Sequence, residues 1–531
     1  MPVAPVAAPA SAPGHFPIAG PASRKTAPRV VALTGSPNSM AGVKSAHGAA
    51  IVGSGPNGLA AAVTLARAGI PVTVFEAADR IGGGARTLER VTPGVLHDVC
   101  SAIHPMALAT EFFREFELER RVRFAVPDAS YAQPLDGAAG PWAAVAYRDL
   151  DRTAQELGRD GAAYARLYRP LLARLDGVQD AALGGAPLRI PADPLGAIAL
   201  GARALEQGSG ALWNRRFREE AAPALLAGVA AHAVGRLPGL APAGVAAVIG
   251  AMGHARGWPV PIGGSRAITN ALAADLIDHG GRFETGWTIR DIGELDGFRV
   301  KLFDTSAPAL ARIAGGALPR GYARRLESFR FGDGAAKVDF VLDAPIPWAD
   351  PRVAEAPTVH LGGTRAEVAA AENAVARGIH PERPFVLLAQ PTEFDPGRNP
   401  AGVNAVWSYT HVPAGSDRDV SGAVIAQIER FAPGFRDLIR DFRVTTAAEL
   451  GEYNANYAGG DISAGAISLR QILARPTLAR DPWRTPVQGL YLCSSATAPG
   501  PGVHGLPGWY AAKSALRNEF GMGAPALGIT G

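Results

Sequence analysis

The chain has 531 residues, a length that allows two to four domains with ample cores. It is 47% hydrophobic and 19% charged, a globular composition poor in charge against the usual ~25%, which points to large apolar surfaces or cavities. The formal charge of +4 is carried by Arg24, Lys25, Arg29 and Lys44 in an acid-free stretch, so the remainder is neutral and no nucleic-acid partner is expected.

Met1 to His47 is rich in Ala, Pro, Ser and Gly without sustained periodicity, and such a segment buries too little surface to order itself. It reads as a disordered tail, with a transit peptide as the alternative. Met40, just before the first strand, is a second candidate start.

Ala49 to Val52 is a short apolar run ending at Gly53, and Gly53, Gly55 and Gly58 complete G-x-G-x-x-G at a strand-to-helix junction, with Asn57 inside the turn. The first glycine permits the tight turn, the second lets backbone approach a pyrophosphate, and the third lets helix and strand pack closely. Leu59, Ala62, Val63 and Ala66 then follow the spacing of a helix with one buried face, and Gly69 suits its C-terminal cap. Pro71 to Phe75 is the next strand and ends in Glu76, about twenty residues beyond the turn, where a ribose hydroxyl acceptor stands. These features predict a dinucleotide site; the alternative is a glycine-rich turn with a structural role only.

A second glycine cluster follows in Asp79-Arg-Ile-Gly-Gly-Gly-Ala-Arg-Thr87. Thr92 to Met106 contains a strand leading to Asp98, and His97 and His104 are candidates for the substrate end of the site or plain loop histidines. From Phe112 to about Met252 the pattern is mainly helical, with helices expected over 164–175 and 193–205. Residues 221–255 carry a single charge, Arg236, and are split at Leu237-Pro-Gly; two short buried helices are expected, with a greasy tunnel wall or membrane-dipping face as the alternative. After Pro261-Ile-Gly-Gly-Ser-Arg-Ala a helix runs through Leu272 and Ile277, and 285–292 with 297–302 read as a short β pair. Further strands are expected at 337–342, 384–388 and 403–410. No repeat and no second G-x-G-x-x-G is found, so a separate NAD(P)H domain is not expected.

Near the C-terminus, Gly489 to Cys493 is a buried strand, Ser494 to Gly502 a proline and glycine loop, and the segment from Val503 opens a helix. A strand feeding a helix N-terminus through glycines offers unpaired N–H groups and a positive dipole end to an anion. Cys100 and Cys493 are far apart and form no C-x-x-C, which argues against a redox dithiol and suits a reducing, cytoplasmic setting.

The segment Asp79 to Thr87 resembles the (D/E)R-x-GG motif of the FAD-dependent amine oxidase and phytoene desaturase superfamily. LYLCSSATAPGPGVHG, from Leu490 to Gly505, is similar to that family's C-terminal FAD motif, in particular in the branch called pyridine nucleotide-disulphide oxidoreductase domain-containing protein 2. The likeness extends through Asp339 to Trp348, His360 to Thr364, Tyr409 to Pro413, Gln427 to Phe435 and Asn454 to Asp461. Two departures stand out. The arginine common after GG is Gly84 here, with Arg86 two residues on, and the usual G-G of the last loop is Gly500-Pro501-Gly502.

What the resemblance implies is an α/β protein. A discontinuous Rossmann-like FAD-binding domain over 48–111, 256–330 and 443–525 surrounds an inserted mixed α+β substrate domain over 112–255 and 331–442. It implies non-covalent FAD held by Gly53, Gly55, Asn57, Gly58, Glu76, Gly82, Gly83, Arg86, Ile289, Thr497, Val503 and His504. His504 is also the candidate catalytic residue, steering a proton or only packing and donating a hydrogen bond. Tyr457 and Asp461 line the flavin edge or build a turn. The implied reaction is hydride transfer from an apolar, polyene- or isoprenoid-like substrate to flavin N5, as desaturation or isomerisation. The electron acceptor is oxygen or a quinone-like molecule, and peripheral membrane contact fits such a substrate. The rivals are an amine oxidase, disfavoured by sparse aromatics and by the lack of a convincingly placed lysine, and a flavin-free escort protein on the same fold.

Overall fold

In the computed structural model, which describes residues 47–186, 188–213 and 215–529, five short parallel strands lie in the order Leu490–Leu492, Val300–Phe303, Ala49–Val52, Val72–Glu76 and Arg282–Thr285. The expected tail and Met40 lie outside the described residues, His47 excepted. Ala49–Val52 is apolar at every position because both faces of the sheet are covered. Ala49 and Ile51 pack toward the helices Pro56–Arg67, Arg266–Asp278 and Leu506–Ala515, while Ala50 and Val52 meet Phe303, Ala307 and Leu310 on the other face. The chain leaves the first strand toward Val72–Glu76 on one side and returns much later to Val300–Phe303 on the other, so a crevice opens at the carboxyl ends of these strands.

One expectation needs correcting here. The segments 285–292 and 297–302 do not pair with each other: Arg282–Thr285 and Val300–Phe303 lie on opposite sides of the sheet, joined through the short 3-10 turn Ile292–Leu295. Each instead pairs with a parallel neighbour in the five-stranded sheet, which an isolated two-stranded hairpin lacks.

A second sheet of seven strands runs Ile439–Thr445, Gly334–Leu342, Asn404–Val412, Val386–Ala389, Thr358–Leu361, Ala129–Leu135 and Trp142–Tyr147. The last two arise from the region read as mainly helical. Their period-two pattern, Tyr131 and Leu135 on one face and Ala132 on the other, is short and diluted by alanines. One face of this sheet packs on Val424, Ile428, Phe431 and Phe435. The other lies under the helices Gly161–Leu172, Ala221–Ala231 and Leu240–Arg256. The charge-poor stretch thus forms two buried helices, and among the described residues no helix is long and apolar enough to cross a membrane.

Buried charge ties the short strand Leu96–Asp98 to the loop that precedes Asn404–Val412 and to the start of Arg266–Asp278. Asp98 accepts from Arg398 Nη1 at 2.8 Å, from Thr87 Oγ1 at 2.6 Å and from the Ser265 N–H at 2.8 Å, while Arg398 Nε also reaches Asp395 at 2.9 Å. These donors hold the Asp98 carboxyl below its ordinary range despite burial.

Candidate cofactor and substrate site

The glycine turn sits at the carboxyl edge of the parallel sheet. Gly53 has φ +103°, in the left-handed region, and a Cβ on Gly55 would lie 2.6 Å from Asp304 Oδ2, so the turn closes only with glycines. No side chain caps the N-terminus of Pro56–Arg67, leaving that dipole end to an anion. The second cluster rests on the first: the Gly82 N–H donates to Ser54 O at 3.1 Å, and a Cβ on Gly83 would lie 2.9 Å from Gly55 Cα.

Glu76 is buried and accepts from the Ser54 N–H at 3.0 Å, from Ser54 Oγ, and from the Ala78 N–H at 2.9 Å. Arg86 pairs with it at 3.2 Å and also donates to Arg80 O and Tyr453 Oη. The Arg86–Glu76 salt bridge is therefore a buried one. Gly84 lies against the Tyr457 hydroxyl, which leaves no room at that position for the arginine of the motif that the segment resembles.

Asp304, not identified from the sequence, follows the strand Val300–Phe303 and lies beside Gly53. Its Oδ2 accepts the Gly58 N–H at 2.9 Å, and burial together with the Glu76 charge pushes its carboxyl up to about 7. No sequence signal marks it, because its partner Gly58 lies 246 residues away.

Ile289 is buried with Phe75 and Leu295 at the edge of the same sheet. Thr497 is wholly buried and donates to Ser494 O at 2.8 Å, shaping the C-terminal loop. His504 is wholly buried: its Nδ1 accepts the Leu506 N–H at 3.2 Å and its Nε2 faces Pro501 O at 3.3 Å. Both ring nitrogens are thus committed to backbone at the start of Leu506–Ala515, and burial pulls the imidazole down to about 4.

A cavity of about 550 Å³ begins at Asn57, Gly84 and Val503 and runs to the second sheet, where Trp407, Tyr409 and Thr358 line it. Most of its wall is apolar. Among the described residues no Asp or Glu side chain lines it, and its one guanidinium, Arg475, is bonded to the carbonyls of Ser495, Ala466 and Gly465. His104 and Tyr457 belong to the wall. His97 instead reaches Phe340 O at 3.0 Å, and Asp461 accepts N–H groups of Gly332, Ser463 and Gly465 as a turn builder.

Two sequence expectations change at this point. Aromatics are sparse overall but concentrated here, with Trp258, Trp407, Tyr409 and Tyr457 in the wall. A lysine is also close by: Lys337 is buried, 5.4 Å from the Trp407 ring, with Nζ donating to Asp98 O and Val99 O and paired with Asp339 at 3.0 Å. Composition carries no information on where side chains converge.

These residues fit a dinucleotide. The glycine cradle, the uncapped helix end and the buried acceptor Glu76 converge on one crevice, and Asn57 Oδ1 is buried there without a partner.

The NAD(P)-binding Rossmann-like domain family matches residues 51–116. The chain is similar to pyridine nucleotide-disulfide oxidoreductase domain-containing protein 2 of Rattus norvegicus, at 26% identity, and of Mus musculus, at 27%, over 90% of this chain and 95% of each relative. Among solved structures it resembles putrescine oxidase with bound putrescine (TM-score 0.55, 17% identity, 90% and 99% of the two chains). It also resembles cyclohexylamine oxidase from Brevibacterium oxydans IH-35A (0.54, 17%, 90% and 99%) and an oxidoreductase from Methanosarcina mazei (0.52, 15%, 88% and 100%). The disulfide in the relatives' name has no counterpart in Cys100 and Cys493, both of which are unpaired. The chain is similar over nine-tenths of its length to pyridine nucleotide-disulfide oxidoreductase domain-containing protein 2, and its fold is the Rossmann-type fold of the solved structures it resembles.

Proposed function

We propose that the chain is an FAD-dependent oxidoreductase acting on an apolar substrate, by desaturation or isomerisation. The observation that carries this reading is the cavity, which runs without interruption from the glycine turn to the second sheet and has an apolar wall lacking carboxylates. Bound FAD would supply hydride-accepting chemistry toward a substrate C–H bond. The protein's part is positional. Gly53, Gly55 and Gly58 would hold the turn and the helix end toward the pyrophosphate, Glu76, fixed by Arg86, would accept from the ribose, and Gly82 and Gly83 brace the turn. Pro501, Gly502 and Val503 form the wall where the C-terminal helix starts, and the apolar lining excludes water from the reacting bond.

Exposed apolar side chains cluster in the two elements at the cavity's outer side, Leu195 and Ile198 in Pro194–Gly208 and Leu469, Ile472 and Leu473 in Leu469–Leu473. They support entry of a greasy substrate from a membrane or carrier surface, with oxygen or a quinone-like molecule as electron acceptor.

The second reading, amine oxidation, is favoured by the fold and by the aromatic wall, which suits a cation. Against it, an ammonium group inside the cavity meets no carboxylate. Anaerobic mixing of the purified protein with a panel of polyenes, isoprenoids and diamines tests the reading. Bleaching of the flavin spectrum by an apolar compound is expected, and bleaching by diamines alone contradicts it.

A further inference from the structure

We infer that His104 is a specificity-determining residue, a hydrogen-bond acceptor that holds a hydroxyl group of an otherwise apolar substrate at the nucleotide end of the cavity. The inference rests on the reading that the cavity receives the substrate, and it adds the chemistry and the placement of that substrate's polar group.

The backbone brings His104 to that end. It belongs to the segment Cys100 to Met106, whose residues all line the cavity. A Cβ on Gly84 would lie 3.4 Å from Cys100 Cβ, and one on Gly502 would lie 2.9 Å from Met106 Sδ. The segment therefore touches both the second glycine cluster and the C-terminal loop. Between these contacts the His104 N–H donates to Pro259 O at 3.1 Å, which fixes the backbone that carries the ring.

The neighbours decide which ring nitrogen carries the proton. Ser265 Oγ lies 2.5 Å from Ser101 O and 2.7 Å from His104 Nε2. A carbonyl only accepts, so the single hydroxyl hydrogen of Ser265 goes to Ser101 O, and Ser265 Oγ accepts from His104 Nε2–H. Ser265 is wholly buried and is held from behind, its N–H donating to Asp98 Oδ1 at 2.8 Å. A neutral imidazole protonated at Nε2 carries its lone pair on Nδ1. The ring is neutral at physiological pH, because burial pulls it down to about 4, with Asp98 opposing and Arg398 reinforcing that shift.

That Nδ1 is the open position. His104 is more than nine-tenths buried, and among the described residues its Nδ1 has no hydrogen-bond partner. Unlike Nδ1 of His97 and of His360, which are sealed in the interior, it keeps accessible surface on the cavity that its residue lines. A bare, nearly buried nitrogen on such a wall calls for a donor. Among the described residues no carboxylate lines the cavity, so an ammonium would lose its hydration without gaining a counter-charge. A hydroxyl supplies the donor and brings little polar surface into an apolar wall. A ketone or ether oxygen would set lone pair against lone pair.

The test is a binding measurement on the full-length protein. Displacement of a solvatochromic apolar dye from the cavity is followed with tetradecanol, its methyl ether and tetradecylammonium. In His104→Phe the ratio of alcohol to ether affinity is expected to fall about three- to tenfold, as the loss of one buried hydrogen bond implies. Ser265→Ala keeps the ring and frees its tautomer, so Nδ1 can carry the hydrogen, and the same ratio should fall because the ether gains a donor. A purely structural role would weaken both ligands alike and leave the ratio unchanged. Thermal unfolding of each variant checks folding, and Ser265→Ala carries the test if His104→Phe does not fold. A ratio that survives substitution, or tighter wild-type binding of the ammonium than of the alcohol, overturns the role of His104 alone. Failure of all three compounds to displace the dye overturns the cavity reading and this inference with it.

Discussion

The Gly58 N–H donates to Asp304 Oδ2 over 2.9 Å, joining the nucleotide-binding turn to a carboxyl 246 residues away in sequence. Through this contact a strand from the middle of the chain fixes the start of the first helix. The contact also places an acid with an unusual ionisation beneath the site. Its carboxyl is pushed up to about 7 in the fold against 3.8 ordinarily. The folded state therefore binds the extra proton between these values, so the favourable contribution is complete below pH ~4 and is lost as pH rises through ~7. Asp304→Asn keeps an acceptor for Gly58 and removes the ionisation. Urea unfolding should show near-wild-type stability at pH ~3.5 and a gain of about 3–5 kcal/mol at pH 8. An equal difference at both pH values contradicts this.

Glu76→Ala is expected to do more than weaken cofactor binding. It leaves the buried Arg86 guanidinium without its carboxylate, a change worth about 3–5 kcal/mol of stability when a buried pair is broken. Glu76→Gln, which keeps one acceptor oxygen for either Ser54 or Ala78, should lose less stability while still losing affinity for the dinucleotide. Thermal unfolding and flavin content, measured on both variants, separate the two effects. Equal melting temperatures for Ala and wild type would show that Arg86 relies on its other acceptors.

His504 should not titrate between pH 5 and 8. Burial depresses its imidazole to about 4, so the stability it contributes is present above pH ~6.5 and is lost as pH falls through ~4. His504→Ala removes the acceptor for the Leu506 N–H at a cost of roughly 1 kcal/mol, as for other helix caps. Stopped-flow flavin reduction in this variant should slow modestly with an unchanged pH profile. A rate loss of ~10²–10⁴ with a flattened limb would assign it general-base duty.

Arg398→Ala should be among the most damaging single changes. It strands the buried Asp98 and Asp395 without their counter-charge, with an expected loss of about 3–5 kcal/mol. Arg398→Met in combination with Asp98→Asn and Asp395→Asn should recover part of that loss, because the uncompensated charge is gone. Chemical denaturation of the single and triple variants provides the comparison.

What was legible in the sequence is local chemistry. Gly53, Gly55 and Gly58 announce a turn because left-handed and crowded backbone admits little else, and the apolar run before them announces a strand buried on both faces. Glu76 and the loop before Leu506 follow from fixed spacing within one unit. Asp304, Arg398 and Lys337 were not legible, because each acquires its role from partners hundreds of residues away. The strands Ala129–Leu135 and Trp142–Tyr147 were missed for a related reason: seven and six residues of weak alternation become a sheet only beside Thr358–Leu361. The expectation of few aromatics near the substrate failed because a percentage averages over the chain, while strand registry brought Trp407 and Tyr409 to one wall.

The central claim is that this crevice carries FAD without a covalent link, and the most direct measurement is the visible spectrum of the purified full-length protein before and after acid denaturation. A yellow protein that releases FAD into the supernatant is the expected result. A colourless protein that takes up no FAD on reconstitution would contradict it.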